Sequence, residues 1–165
     1  MKPTTYMPVL ALMALLAFSS CSTDSFPDDS IDLVSLQNAP PSKEIEIEIL
    51  ELINEHRIGL GLNSLQSLDI VKSVAFTHTD YMVETNSVNH DGFYQRKISL
   101  EQNAKAKAVS ENVAYAYSTA QSVVKAWLNS ESHRETIEGD YTDFEVSAEQ
   151  NNDGKWYYTN IFIKR

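Results

Sequence analysis

From Phe144 onward the chain repeats with a period of two, and this constrains its fold more than any other feature. Phe144, Val146 and Ala148 alternate with polar residues, Asn151-Asn152-Asp153-Gly154 supplies a turn, and Trp156 to Ile163 is aromatic and β-branched. That pattern predicts a β-hairpin. The segments before it repeat every three to four residues instead. Ile45, Ile49, Leu52, Ile53 and His56 share one helical face, although Glu44 to Ile49 taken alone also alternates as a strand would. Length decides for a helix, with Ser42 after Pro40-Pro41 as its cap, glutamates in its first turn, and Gly59 and Gly61 at its end. A second helix is predicted over about 67–85, with Leu68, Val71, Ala75, His78 and Met82 on one face. A third is predicted over about 119–129, opened by a capping box of Ser118 and Gln121 and presenting Ala120, Val123, Val124 and Trp127. Helices first and strands last indicate an α+β domain with helices packed on a small antiparallel sheet.

The one cysteine, Cys21, removes several alternatives, since a single thiol closes no intrachain disulfide and makes neither a cysteine zinc site nor a CxxC redox pair. Its context assigns it another role. Lys2 is followed by an uncharged run from Met7 to Phe18, the n-region and h-region of a secretory signal and too short to span a bilayer. Ser19-Ser20 then stand directly before Cys21, an arrangement that resembles the lipobox of bacterial lipoproteins, with Phe18 where Leu is usual. That resemblance implies cleavage of residues 1–20 and acylation of Cys21, which would hold the protein in a bilayer. A plain secretory signal cut near the same place, or a buried free Cys, is the alternative.

Residues 21–42 follow as a tether. Its stretch from Ser22 to Ser42 carries four Asp and three Pro without Lys or Arg, and it buries too little apolar surface to offset the entropy of ordering. Fully stretched, it reaches about 70 Å. The acidic residues after Cys21 resemble a surface-export signal of lipoproteins in the Bacteroidetes group. The globular domain is then residues 43–165. The whole chain has 13 Lys+Arg against 23 Asp+Glu, and without a basic cluster a nucleic-acid partner is not expected.

Four places could carry chemistry: His78, His90 before Asp91-Gly92, Glu111 in Ser110-Glu111-Asn112, and His133 in Ser130-Glu131-Ser132-His133-Arg134. His78 falls on an apolar helical stripe and reads as a packed residue, as does His56. His90 lies in a turn between ordered segments, where sites are often built. Glu111 either caps backbone donors or faces a cleft. His133 follows the third helix, where a protonated imidazole could answer the helix dipole. No local HxxxH or HxH places two imidazoles on one metal.

Together these residues resemble the CAP superfamily, also called SCP-like or cysteine-rich secretory protein domains. The resemblance is carried by Leu52-Ile53-Asn54-Glu55-His56-Arg57, Gly61-Leu62, Leu65, Ala75, His78, Met82, His90-Asp91-Gly92-Phe93 and Arg96. It continues through Ser110-Glu111-Asn112-Val113-Ala114, Trp127, Ser130, His133-Arg134, Ile137 and Tyr157 to Phe162. It implies a three-layer α-β-α sandwich with a small central antiparallel sheet, and a cleft shared by His90, Glu111 and His133. In many members that cleft has two histidines and two acidic residues, and some bind a divalent metal there. The second acidic position has no matching residue, and Glu131 is a candidate by proximity, standing where bacterial relatives have Pro. Ser132 replaces a Gly, Thr136 an Asn and Glu138 a Leu. Glu145 also replaces a Gly, which would cost about 1 kcal/mol or more if that backbone takes positive φ.

Two imidazoles and a carboxylate make a three-ligand set suited to zinc or another divalent cation. No Ser, Thr or Cys is marked as a nucleophile, and no catalytic residue is assigned. The expectation is a lipid-anchored, non-catalytic binding module at the bacterial outer membrane or cell surface. Its partners are the lipid bilayer through acylated Cys21 and an envelope or extracellular ligand, metal or lipid-like, in the cleft. The alternative is a metal-dependent hydrolase or protease using the same cleft.

Overall fold

A computed structural model describes residues 40–165 together with Met1. The rest of the expected signal peptide after Met1, Cys21 and the expected tether up to residue 39 lie outside the described residues. The isoleucine stripe makes helix α1 (Glu44–Gly59), with Ile49 and Ile53 fully buried. Its N-cap is Lys43, whose main-chain N–H donates to the Glu46 carboxylate at 2.7 Å. Glu46, not the expected Ser42, therefore answers the open helix end. A short strand β1 (Gln66–Ser67) leads into α2 (Asp69–Thr85), which buries Val71, Ala75, His78 and Met82 as its periodicity requires. Helix α3 (Phe93–Asn103) and strand β2 (Ala108–Tyr115) follow.

Helix α4 (Ala120–Asn129) is capped one residue later than expected. Ser122 N–H donates to Thr119 Oγ1 at 3.1 Å, and Thr119 N–H donates to Ser122 Oγ at 3.2 Å. Helix α5 (Glu131–Glu138) begins directly after Ser130. The hairpin is β3 (Asp143–Gln150) and β4 (Trp156–Lys164), and its turn needs Gly154 at φ 71°.

The sheet order is β1-β3-β4-β2. β4 pairs antiparallel with both β3 and β2, while β1 runs parallel to β3 over two residues, so the sheet is mixed rather than wholly antiparallel. Alternation along the strands gives it two covered faces. Phe144, Val146, Ala148, Tyr158 and Phe162 meet Ile49, Ile53, Val123, Trp127 and Ile137 from α1, α4 and α5. Val109, Ile161 and Ile163 meet Val71, Val74, Ala75 and Leu100 from α2 and α3. The result is the three-layer α-β-α sandwich.

Because β1 stops at Ser67, the outer edge of β3 has no strand beside it further on. Two buried side chains close it instead. Lys72 Nζ donates to the Val146 carbonyl at 2.8 Å, Ala148 N–H donates to Glu46 Oε1 at 2.8 Å, and the two side chains pair with each other at 2.6 Å. An ion pair thus supplies the donor and acceptor that a neighbouring strand would have supplied.

Glu145 brings no backbone strain, because it sits in extended β3 and is absent from the positive-φ residues. Its cost is electrostatic. Burial pushes its carboxyl above the ordinary range despite a hydrogen bond to Ser67 and the nearby charge of Lys72, and Oε2 has no hydrogen-bond partner among the described residues.

Candidate functional site

The site is built where α2, the turn before α3, and β2 converge. In that turn the Asn89 side chain accepts a hydrogen bond from Asp91 N–H at 2.9 Å, and Gly92 takes φ 69° as the N-cap of α3. A Cβ at Gly92 would also come within 3.3 Å of Arg96 Nη1. The turn presents the Asp91 carbonyl to that same Nη1 at 2.6 Å, which seats Arg96 nearly out of solvent.

Glu111 lies on the α2/α3 side of β2, opposite Ile161. Arg96 grips it with both prongs of the guanidinium, Nε to Oε2 at 2.8 Å and Nη2 to Oε1 at 2.7 Å. His90 Nδ1 stands 2.8 Å from Oε1, with the ring half exposed. The Glu111 side chain is 1% exposed. Burial by itself would raise its pKa, but the hydrogen bonds from His90 and Arg96 and the charge of Arg96 hold it below the ordinary carboxylate range. A carboxylate at Nδ1 selects the tautomer with the proton there, so His90 Nε2 faces solvent as an acceptor.

His78 is the packed residue its stripe implies, buried with Nε2 on the Asn89 carbonyl at 2.9 Å. It also lies 3.9 Å from Glu111 Oε1, so it walls the site from behind. Burial and then the charge of Arg96 lower its pKa, against the opposing pull of Glu111. His56 pairs with Glu138 at 2.9 Å, joining α1 to α5.

His133 corrects an expectation. It lies in the first turn of α5, not past the end of a helix, so the dipole there disfavours its protonation. Burial and repulsion from His90 lower its pKa as well. Its Nδ1 is 2.7 Å from Ser130 Oγ, and its carbonyl accepts from Asn112 Nδ2 at 3.0 Å, which ties α5 to β2. Glu131 is the first residue of α5, where its charge suits the helix start, and it is exposed. No ion pair among the described residues joins it to either histidine.

A cleft of about 250 Å³ opens here, lined by His90, Phe93, Val109, Ser110, Glu111 and Thr136. For a metal, the donor set is narrower than the sequence suggests. Both Glu111 oxygens already accept from Arg96, and among the described residues no three His, Cys, Asp or Glu side chains converge to hold an ion. Glu111 fits as the outer-shell partner that orients His90, whose Nε2 is the donor this cleft offers, and His133 is not among its lining residues.

The family model described as the cysteine-rich secretory protein family, CAP, matches residues 50–162. The chain belongs to the CAP family. Its CAP domain is 36% identical over 124 residues to the uncharacterized membrane protein YlbC of Bacillus subtilis strain 168, covering 73% of this chain and 34% of that protein. It is 32% identical over 104 residues to the uncharacterized protein YkwD of the same organism, covering 61% of this chain and 40% of that one. The matched region thus spans little more than a third of these relatives. Among solved structures, an outer surface protein of Borrelia burgdorferi superposes with a TM-score of 0.68 at 26% identity, covering 78% of this chain and 98% of that one. A cysteine-rich secretory protein of Staphylococcus aureus shares the fold, with a TM-score of 0.63 at 22% identity, covering 78% of this chain and 42% of that one. No helix among the described residues is long and apolar enough to cross a membrane.

Arg96 enters the sequence reading only as one of the residues that carry the family resemblance, and its grip on Glu111 is not legible there, because a lone Arg reads as solvated.

Proposed function

We propose that this CAP protein is a binding module of the bacterial cell envelope, anchored through lipid on Cys21 and presenting the His90–Glu111–His133 cleft to its ligand without catalysing a reaction. The observation that carries this reading is the engagement of Glu111. With Arg96 on both oxygens and His90 on one, the carboxylate is committed to holding an imidazole in place. The Nε2 atoms of His90 and His133 would hold a divalent cation such as zinc, which would supply Lewis acidity to a bound ligand. A lipid-like ligand is better served by a groove of about 720 Å³ along α1, lined in part by Ile47, Leu50, Ile58, Leu65 and Phe144. The surface placement is supported by two similar proteins, one named a membrane protein and the other an outer surface protein.

Zinc titration by calorimetry tests the cleft, using the mature chain carrying Cys21→Ser. Wild-type cleft residues are expected to give saturable heat, and His90→Ala and His133→Ala each to weaken it about tenfold or more. Identical isotherms in all three proteins overturn the metal reading. The second reading, a metal-dependent hydrolase or protease, draws on the Glu111–His90 pair, whose outward Nε2 could act as a general base. Peptidase and esterase activity lost in His90→Ala would establish it in place of the binding module.

The anchor is tested separately by palmitate labelling in cells. Label is expected on the wild type and not on Cys21→Ser, with the same thermal midpoint for both domains, and an unlabelled wild type overturns it.

A further inference from the structure

The two edges of the sheet are treated differently. Beyond β1, the outer edge of β3 is closed by the buried Glu46–Lys72 pair. The opposite edge is β2, and the phase of its ladder shows which of its main-chain groups point away from the sheet. Ala116 N–H donates to the Trp156 carbonyl at 2.8 Å. At every second residue before it, Ala114, Asn112 and Ser110 turn their main-chain groups toward β4, so Val113, Glu111 and Val109 turn theirs outward. The Trp127 indole agrees with this phase, since its N–H donates to the Val113 carbonyl at 3.1 Å. For Val109 and Glu111 no protein group among the described residues answers the outward N–H and C=O. Glu111 as a residue is half-buried while its side chain is 1% exposed, so the surface it shows is main chain.

These open groups lie in the cleft itself, between Phe93 of α3 and Thr136 of α5. Their partial charges alternate, N–H and C=O of Val109 and then of Glu111, at a spacing of about 7 Å between like groups. An extended main chain carries the complementary row at that spacing. We propose that the cleft takes an extended polypeptide segment as an added strand on β2, bonded through the main chain of Val109 and Glu111. The assignment rests on the reading of the cleft as the ligand site and names the ligand class. Side chains of the guest strand would alternate between Phe93 with His90 on one side and Thr136 on the other. A proline at either contact position of the guest would remove a donor and is excluded.

The test uses the mature chain with Cys21→Ser as bait for a random library of peptides about ten residues long, a length that covers the edge. Selected peptides are resynthesised with single N-methyl groups, which keep side chains and remove one main-chain donor. Binding is expected to fall about tenfold at alternate positions and little between them. Amide resonances of Val109 and Glu111 should shift on binding. Thr136→Trp, which fills the cleft from α5 and leaves the residues of β2 unaltered, should abolish binding at an unchanged thermal midpoint. If that variant does not fold, the N-methyl series and the amide shifts decide alone. Peptides insensitive to N-methylation, shifts confined to the α1 groove, or no enriched peptide each overturn the proposal. Zinc heat without peptide binding overturns this inference and leaves the metal reading standing, and peptide binding without zinc heat does the reverse.

Discussion

Lys72→Met is expected to destabilise the domain by about 3–5 kcal/mol, because it removes one partner of a buried ion pair and leaves the other in place. Glu46 would remain 1% exposed, its charge answered by the N–H groups of Lys43 and Ala148 and by the partly exposed Lys43 ammonium at 3.9 Å. The Val146 carbonyl would lose its donor at the same time. For a domain of this size the thermal midpoint should drop by roughly 10–20 °C. Lys97→Met provides the comparison. Lys97 pairs with Glu101 at 3.7 Å with both side chains about 40% exposed, and an exposed helical pair of that kind is worth about 0.5 kcal/mol or less. Equal midpoints for the two variants in a thermal melt would show that the Glu46–Lys72 pair does not close the sheet edge. The retention of charge here has a physical reason. A methionine matches the stem of lysine, yet it cannot donate to a strand edge, so its packing leaves the Val146 carbonyl unsatisfied.

What the residue pattern exposes and what it hides follow from the same physics. α1, α2 and α4 are legible because each buries an apolar stripe, and the hairpin because period two meets Asn-Asn-Asp-Gly. α3 is hidden in the sequence, since its buried residues are Arg96, Ser99 and Leu100, and one leucine makes no stripe. α5 buries only Ile137, so His133 reads as lying beyond a helix when it opens the next one. β1 is two residues long and its pairing with Asp143 and Phe144 is tertiary. Glu46 and Lys72 look like solvated helix charges in the sequence. Their burial arises because β1 ends too soon to cover β3, a fact about strand lengths that no local window contains. For the site, His90 and Glu111 line one cleft while His133 is not among its lining residues, and the grip of Arg96 on Glu111 and the wall formed by His78 depend on how α2 and α3 lie across the sheet.

Arg96→Met is expected to carry the second large effect, again about 3–5 kcal/mol at neutral pH, and to reverse the pH dependence contributed by Glu111. In the native site the folded carboxyl is held below its unfolded value. Its contribution to stability is therefore present above the unfolded pKa and lost as pH falls through the folded one. Without the guanidinium, burial is opposed mainly by the His90 hydrogen bond and the folded pKa rises. The folded state then binds the proton more tightly than the unfolded state, and stability falls as pH rises. The gap between wild type and variant should accordingly widen from about pH 4 to about pH 7 in urea unfolding. Adding Glu111→Gln to Arg96→Met should recover much of the loss at the upper end, since it removes the stranded charge. A gap that stays constant with pH would mean that the loss comes from packing around α3 and the Asp91 turn, not from Glu111. Arg96 touches no ligand atom in this scheme, so its role is positioning. With its fork removed, the carboxyl becomes protonated and offers its proton, the His90 Nδ1–H tautomer is no longer enforced, and zinc binding should weaken even where the domain remains folded.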